Sequence, residues 1–187
     1  THTPVEVWFQ DETRVGQKNP QVRVWACKGT RPRQPADQRT QSAYLLTPAA
    51  SSKLSGAVAP ERGAGAAVVM PKANTRAMQL HLEEISRRVA AGHHGVVVMD
   101  QASWHTTDKL RLPANLSILL LPPRSPELNP IENLWEYLRQ TALSALVFDT
   151  YTAIVEACCS AWNDLAGDAD LLRSITARQW AAVGQPR

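Results

Sequence analysis

The stretch SPELNPIENLWEYLR, Ser125–Arg139, sets two prolines, three glutamates and a tryptophan into one loop-to-helix joint. Asn129 is a good N-cap residue and Pro130 suits the first helical position, which puts Glu132 third. The tetrapeptide N-P-I-E is then close to a capping box, in which Glu132 returns to the Asn129 amide. The same geometry can serve chemistry. A helix N-terminus favours a charged carboxylate, and the prolines fix its direction. Glu136 lies one turn further on and Glu127 in the preceding loop. Ile131, Leu134, Trp135 and Leu138 give the helix an apolar side that packs the joint, and the helix is expected to reach about Leu146.

Upstream of the joint, LSILLLPP (Leu116–Pro123) and GVVVMD (Gly95–Asp100) are nearly continuous apolar runs, as expected of strands covered on both faces. Ligands of open α/β sheets gather beyond the carboxyl ends of such strands, where Asp100 sits. Val96 and Val98 share its face. Its bland reading is a cap for the turn DQASWH. VEVWFQDE (Val5–Glu12) reads as a strand with Val5, Val7, Phe9 and Asp11 on one side and Glu12 on the other.

Other elements follow from local pattern. QVRVWACKG (Gln21–Gly29), AYLLTP, LSGAV and AAVVMP (Ala66–Pro71) read as further strands, with AASS as a turn. NTRAMQLHLEEISRRVAAG reads as a helix capped by Asn74 or Thr75 and stopped at Gly92. Phe148, Tyr151, Val155, Cys158 and Trp162 fall at helical spacing, and a last helix is expected over Asp170–Ala182. The order predicts a mixed α/β domain with a central sheet flanked by helices.

The 187 residues, 44% hydrophobic and 20% charged, suit one globular domain with a sizeable core. No run reaches membrane-span length and no signal peptide opens the chain. It begins at Thr1, which is expected of a fragment or a processed chain. Cys27, Cys158 and Cys159 form neither a disulfide framework nor a metal motif; Cys158 and Cys159, adjacent in an apolar helical pattern, are expected to be buried thiols, and a reducing cytoplasm fits. Net charge is only +3, but Lys18, Arg23, Lys28, Arg31, Arg33 and Arg39 cluster around a single acid, Asp37. Such a run can hold a phosphate backbone or form a solvated loop.

Asp11 and Asp100 on neighbouring strands would repel each other unless a cation or a shared proton intervened. Mg²⁺ or Mn²⁺, hard ions with oxygen ligands, are the natural cations.

The combination of FQDE, RVWACKGTRP, VVVMDQASWH and LLLPPRSPELNPIENLW closely resembles the catalytic domain of mariner-superfamily DDE transposases, in particular their bacterial insertion-sequence branch. The similarity runs from about Val5 to Leu146. It implies a ribonuclease-H-like fold with a catalytic and metal-binding triad of Asp11, Asp100 and Glu132. It further implies two Mg²⁺ ions, replaceable by Mn²⁺, and double-stranded DNA (transposon ends and target) as partner. DNA contacts are implied at Trp25, Lys28, Arg31, Arg33, Arg124 and His105, and His105 also has a reading as a plain loop histidine. A homodimer, and a cytoplasmic, nucleoid-associated location in a bacterium, go with the family. On this view residues 1–187 are one catalytic domain, with a core over about 5–146 and C-terminal helices over about 148–183. The upstream helix-turn-helix DNA-binding region usual in the family is not in this sequence. Gln101 stands where the family usually has Asn, Arg124 where it usually has Tyr, and residues 43–56 fit it poorly. A non-catalytic descendant that binds DNA or dimerises is the main alternative. A metal-free carboxylate-pair hydrolase is another.

Overall fold

Side-chain alternation along the first strand divides the core into two layers. The computed structural model describes residues 2–16, 27–30, 51–105, 107–144, 146–178 and 180. In it, β1 runs Val5–Gly16. Its Trp8 packs with Met78, Leu82 and Ile85 of α1 (Thr75–Arg88). Phe9 points the other way, into a cluster with Leu134 and Trp135 of α2 (Ile131–Gln140), Trp162 of α3 (Tyr151–Ala166) and Leu172 of α4 (Ala169–Thr176). Each fully buried leucine of that second layer contributes roughly 1.5–3 kcal/mol.

The sheet is completed by β2 (Ser51–Ala59), β3 (Ala64–Met70), β4 (His94–Met99) and β5 (Leu116–Leu120), in the spatial order β3-β2-β1-β4-β5. The first three strands form an antiparallel meander, while β4 and β5 run parallel to β1. Such a mixed sheet, with α1 on one face and α2–α4 on the other, is a ribonuclease-H-like fold. Val97, Val98 and Met99 are all buried, which is why β4 reads as an uninterrupted apolar run.

Several boundaries differ from the sequence expectation. β1 continues past Glu12 to Gly16 because β2 pairs with it as far as Ser51. Ser51 and Ser52 therefore belong to a strand, not to the expected AASS turn. Cys27–Thr30 form a turn, closed by the Thr30 amide on the Cys27 carbonyl at 3.0 Å, where a strand end was expected. The rest of QVRVWACKG and all of AYLLTP lie outside the described residues. α1 begins as expected, with Asn74 Oδ1 accepting from the Ala77 amide at 2.9 Å, but it ends at Arg88. Gly92, with φ of 77°, serves the turn into β4 instead.

α2 stops at Gln140, short of Leu146. The Thr141 hydroxyl donates to the Tyr137 carbonyl and the Leu143 amide closes on the Leu138 carbonyl, turning the chain back so that Leu143 and Phe148 enter the core. Phe148 precedes α3, which starts at Tyr151 behind the Thr150 cap. α4 starts at Ala169 behind the Asp168 cap and ends at Thr176. Cys158 is buried, and burial pushes its thiol up to about 12, whereas Cys159 is exposed, contrary to expectation.

Candidate active site

The site begins where β1 parts from β4. Their parallel pairing ends at Phe9 opposite Val98, and extending that register by two places sets Asp11 against Asp100. Both follow residues of the Phe9 layer, so both carboxylates emerge on the face covered by α2. Asp11 is thus not a strand-terminal residue; it sits where β1 loses one neighbour and keeps the other. The Gln10 carbonyl, just beyond the last parallel pair, is taken by the side-chain amide of Asn129 at 2.9 Å. That bond ties the joint to the sheet at the level of the two aspartates.

Asn129 and Glu132 behave differently from the expected capping box. The Asn129 amide donates to the Pro126 carbonyl at 2.9 Å, so it has no need of Glu132. The Asn129 carbonyl receives the Glu132 amide at 3.1 Å, and helix α2 itself opens at Ile131. Glu132 occupies the first turn of α2, where the helix dipole favours its charge. Its side chain lines a cavity of about 370 Å³ together with Asp11, Asp100, Gln101, Arg124 and Asn129. The structure therefore gathers at one cavity the three acids expected from the sequence.

Asp11 is held by the indole of Trp135, whose N–H donates to Oδ2 at 2.9 Å. The approach is possible because Gly56 is the cross-strand partner of Asp11 on β2. A Cβ at Gly56 would lie 2.5 Å from the Trp135 ring and 3.0 Å from that of Trp162. Burial raises the Asp11 carboxyl from 3.8 to about 7; the charges of Glu132 and Asp100 push the same way, and the Glu12 amide and Trp135 oppose them. A nearby cation would restore the anion.

Asp100 is open to solvent, its side chain 61% exposed. Oδ1 accepts from the Ala102 amide at 3.0 Å, so the turn-capping reading holds as well. Nδ1 of His105 lies 2.7 Å from the same oxygen. His105 is buried rather than solvent-facing, its ring packed between Asp100 and Glu12. Burial alone would lower its pKa, but the Glu12 and Asp100 carboxylates outweigh it and hold the imidazole above its usual value. Gln101 donates to the Leu121 carbonyl at 2.9 Å, bracing the exit of β4 against that of β5.

Of the remaining expected contacts, Lys28 is exposed in its turn and Arg124 lines the cavity. Arg124 alone among the described non-glycine residues has a left-handed backbone, with φ of 61°. Trp25, Arg31 and Arg33 lie outside the described residues. The donor role of Trp135, the clearance at Gly56 and the His105–Glu12 contact have no signature in local sequence pattern.

The donor set is all carboxylate oxygen, which suits a hard divalent cation such as Mg²⁺ or Mn²⁺. Among the described residues no three such side chains converge tightly enough to enclose an ion. Asp11, Asp100 and Glu132 form an open arrangement around the cavity, with room for ligand oxygens from outside the chain.

Fold and cavity together define a ribonuclease-H-like domain with an acidic site where the parallel pairing of β1 and β4 ends. Residues 6–154 match the DDE superfamily endonuclease family, and the chain belongs to that family. It is 50% identical over 126 residues to an uncharacterized protein, y4pE/y4sA, of Sinorhizobium fredii, covering 67% of this chain and 93% of that one. Among solved structures, a pre-cleavage Mos1 transpososome matches with a TM-score of 0.64 at 17% identity over 91% of this chain. The Mos1 mariner paired-end complex with Mn matches with a TM-score of 0.63 at 20% identity, again over 91% of this chain. The fold is thus that of the mariner Mos1 transposase. The chain spans about half the length of the Mos1 chains it matches, 52% and 51% respectively.

Proposed function

We propose that this chain is a transposase catalytic domain that performs metal-dependent phosphoryl transfer on DNA, cutting transposon ends and joining them to target DNA. The observation that carries the reading is the meeting of Asp11, Asp100 and Glu132 at one cavity in a DDE-family chain. Mos1 structures of the same fold are described as a strand transfer complex and as paired-end complexes with Mn and with Mg. They support divalent-metal and DNA use here; the reading itself takes two Mg²⁺ ions, Mn²⁺ as substitute, and a homodimer acting on two ends.

In this reading Asp11, Asp100 and Glu132 are the metal-holding residues. Bound divalent ions would supply Lewis-acid activation of the attacking oxygen and stabilisation of the leaving one. The chain's own work is placement. The prolines and Asn129 set the direction of Glu132, and Trp135 fixes Asp11. Arg124, at the cavity lip, meets backbone phosphate, and Lys28, Arg31 and Arg33 add positive charge for the duplex.

Nicking of supercoiled plasmid with Mg²⁺ or Mn²⁺ tests the reading. The native chain should nick only with metal, while Asp100→Asn and Glu132→Gln should be inactive and melt like the native protein. Nicking that survives both substitutions removes the active-site assignment. A native chain that binds DNA but never cuts it favours the non-catalytic alternative.

A further inference from the structure

A line of side chains runs from the α1 side of the sheet through to the acidic cavity. Glu12 leaves β1 on the face opposite Asp11, and its side chain is only 9% exposed. Its Oε1 accepts from the Trp104 indole at 3.1 Å and lies 3.4 Å from His105 Nε2. The other ring nitrogen, Nδ1, lies 2.7 Å from Asp100 Oδ1 and is also hydrogen-bonded to the Asp100 main-chain carbonyl at 3.2 Å. His105 is itself locked in the turn by its amide on the Ala102 carbonyl at 2.8 Å, and its ring meets Trp104 edge-on at 5.8 Å between centroids. Glu12 and His105 are 9% and 3% exposed, against 61% at Asp100.

We infer that His105, its ring held in place by Glu12, is a positioning residue for Asp100, which deepens the proposed function and rests on its reading of Asp100 as a metal-holding acid. An aspartate this exposed would otherwise sample several rotamers, and each would aim its charge differently. With Oδ1 engaged by the Ala102 amide and by His105, Oδ2 is the oxygen left for a ligand in the cavity; among the described residues no hydrogen bond reaches it. Glu12 keeps the imidazole plane from rotating away. Buried partners of this kind behind a metal-holding group are commonly worth ten- to a hundredfold in metal affinity.

The roles of the two ring nitrogens separate positioning from mere packing. His105→Asn keeps an N–H donor near the place of Nδ1, whereas His105→Gln carries it outward to that of Nε2. Trp104→Phe alters the packing around the pair while leaving Glu12 Oε1 facing His105 Nε2 and Nδ1 facing Asp100, so it serves as the packing control. Mn²⁺ binding is read by the loss of the free-ion electron paramagnetic resonance signal, with a melt of each variant to establish folding. The expected result is a ten- to hundredfold weaker affinity in His105→Gln, with His105→Asn and Trp104→Phe within about threefold of native. Equal affinity in all folded forms overturns the positioning role and leaves the metal site intact. Equal weakening in Trp104→Phe and His105→Gln also overturns it, by showing a general packing effect. A native chain that binds no Mn²⁺ counts against the proposed function itself.

Discussion

The Trp135 indole N–H donates to Asp11 Oδ2 at 2.9 Å, joining the apolar side of α2 to β1 across 124 residues of sequence. One side chain thereby closes the core under α2 and steers a carboxylate. Trp135→Phe keeps most of the packing and deletes the donor, which otherwise opposes the burial-driven rise of Asp11. The Asp11 carboxyl should then titrate above its native value of about 7, as followed by side-chain carboxyl NMR. Stability should fall by about 1–3 kcal/mol, because a half-buried acceptor loses its partner. An unmoved titration would show that the bond does not act on Asp11.

Gly56 is required by clearance. The added methyl of Gly56→Ala would sit 2.5 Å from the Trp135 ring, and the flanking Trp162 ring at 3.0 Å leaves little room to move away. Overpacking of that kind costs about 1–3 kcal/mol. Chemical denaturation should show that loss, together with the raised Asp11 titration of Trp135→Phe. Native stability in Gly56→Ala would mean the indole has another place to go.

Asn129 bridges the joint and the sheet. Asn129→Ala leaves the buried Gln10 carbonyl without its side-chain partner, at a cost of about 1–3 kcal/mol. Divalent-metal affinity should weaken as well, because Glu132 loses its anchor to the level of the aspartates. A loss of stability with unchanged metal affinity would separate Asn129 from the site.

His81 sets a pH dependence away from the cavity. It is fully buried, and burial lowers its pKa from 6.5 to about 4. Above pH 6.5 it is neutral in both folded and unfolded chains. As pH falls from 6.5 towards about 4, the unfolded chain takes up a proton that the folded one refuses, so stability is lost in that window. The gap amounts to about 3 kcal/mol. His81→Leu lacks this component, while that of Asp11 is common to both proteins. The stability of native relative to variant should therefore fall by about that amount across the window. Parallel pH profiles would contradict the buried, neutral state of His81.

Local pattern carried much of this architecture. Apolar runs located β4 and β5, alternation assigned Asp11 and Glu12 to opposite faces, and the proline joint marked the start of α2. The partners of those residues were hidden because they are set by register and packing between distant segments. Nothing in the spacing links Trp135 to Asp11, Gly56 to the indole, or Asn129 to the Gln10 carbonyl. His105 looked like a loop residue because its burial depends on Glu12 from a strand 93 residues away. Helix ends were misread for a related reason. α2 stops where the chain turns to bring Leu143 and Phe148 into the core, a tertiary demand that helical periodicity does not express.

The central claim is that Asp11 and Asp100 hold divalent metal. Calorimetric titration of Mn²⁺ into the native chain and into Asp11→Asn/Asp100→Asn tests it most directly. The account predicts binding to the native protein that disappears in the double variant while its fold persists. Equal binding to both, or none to the native chain, would contradict it.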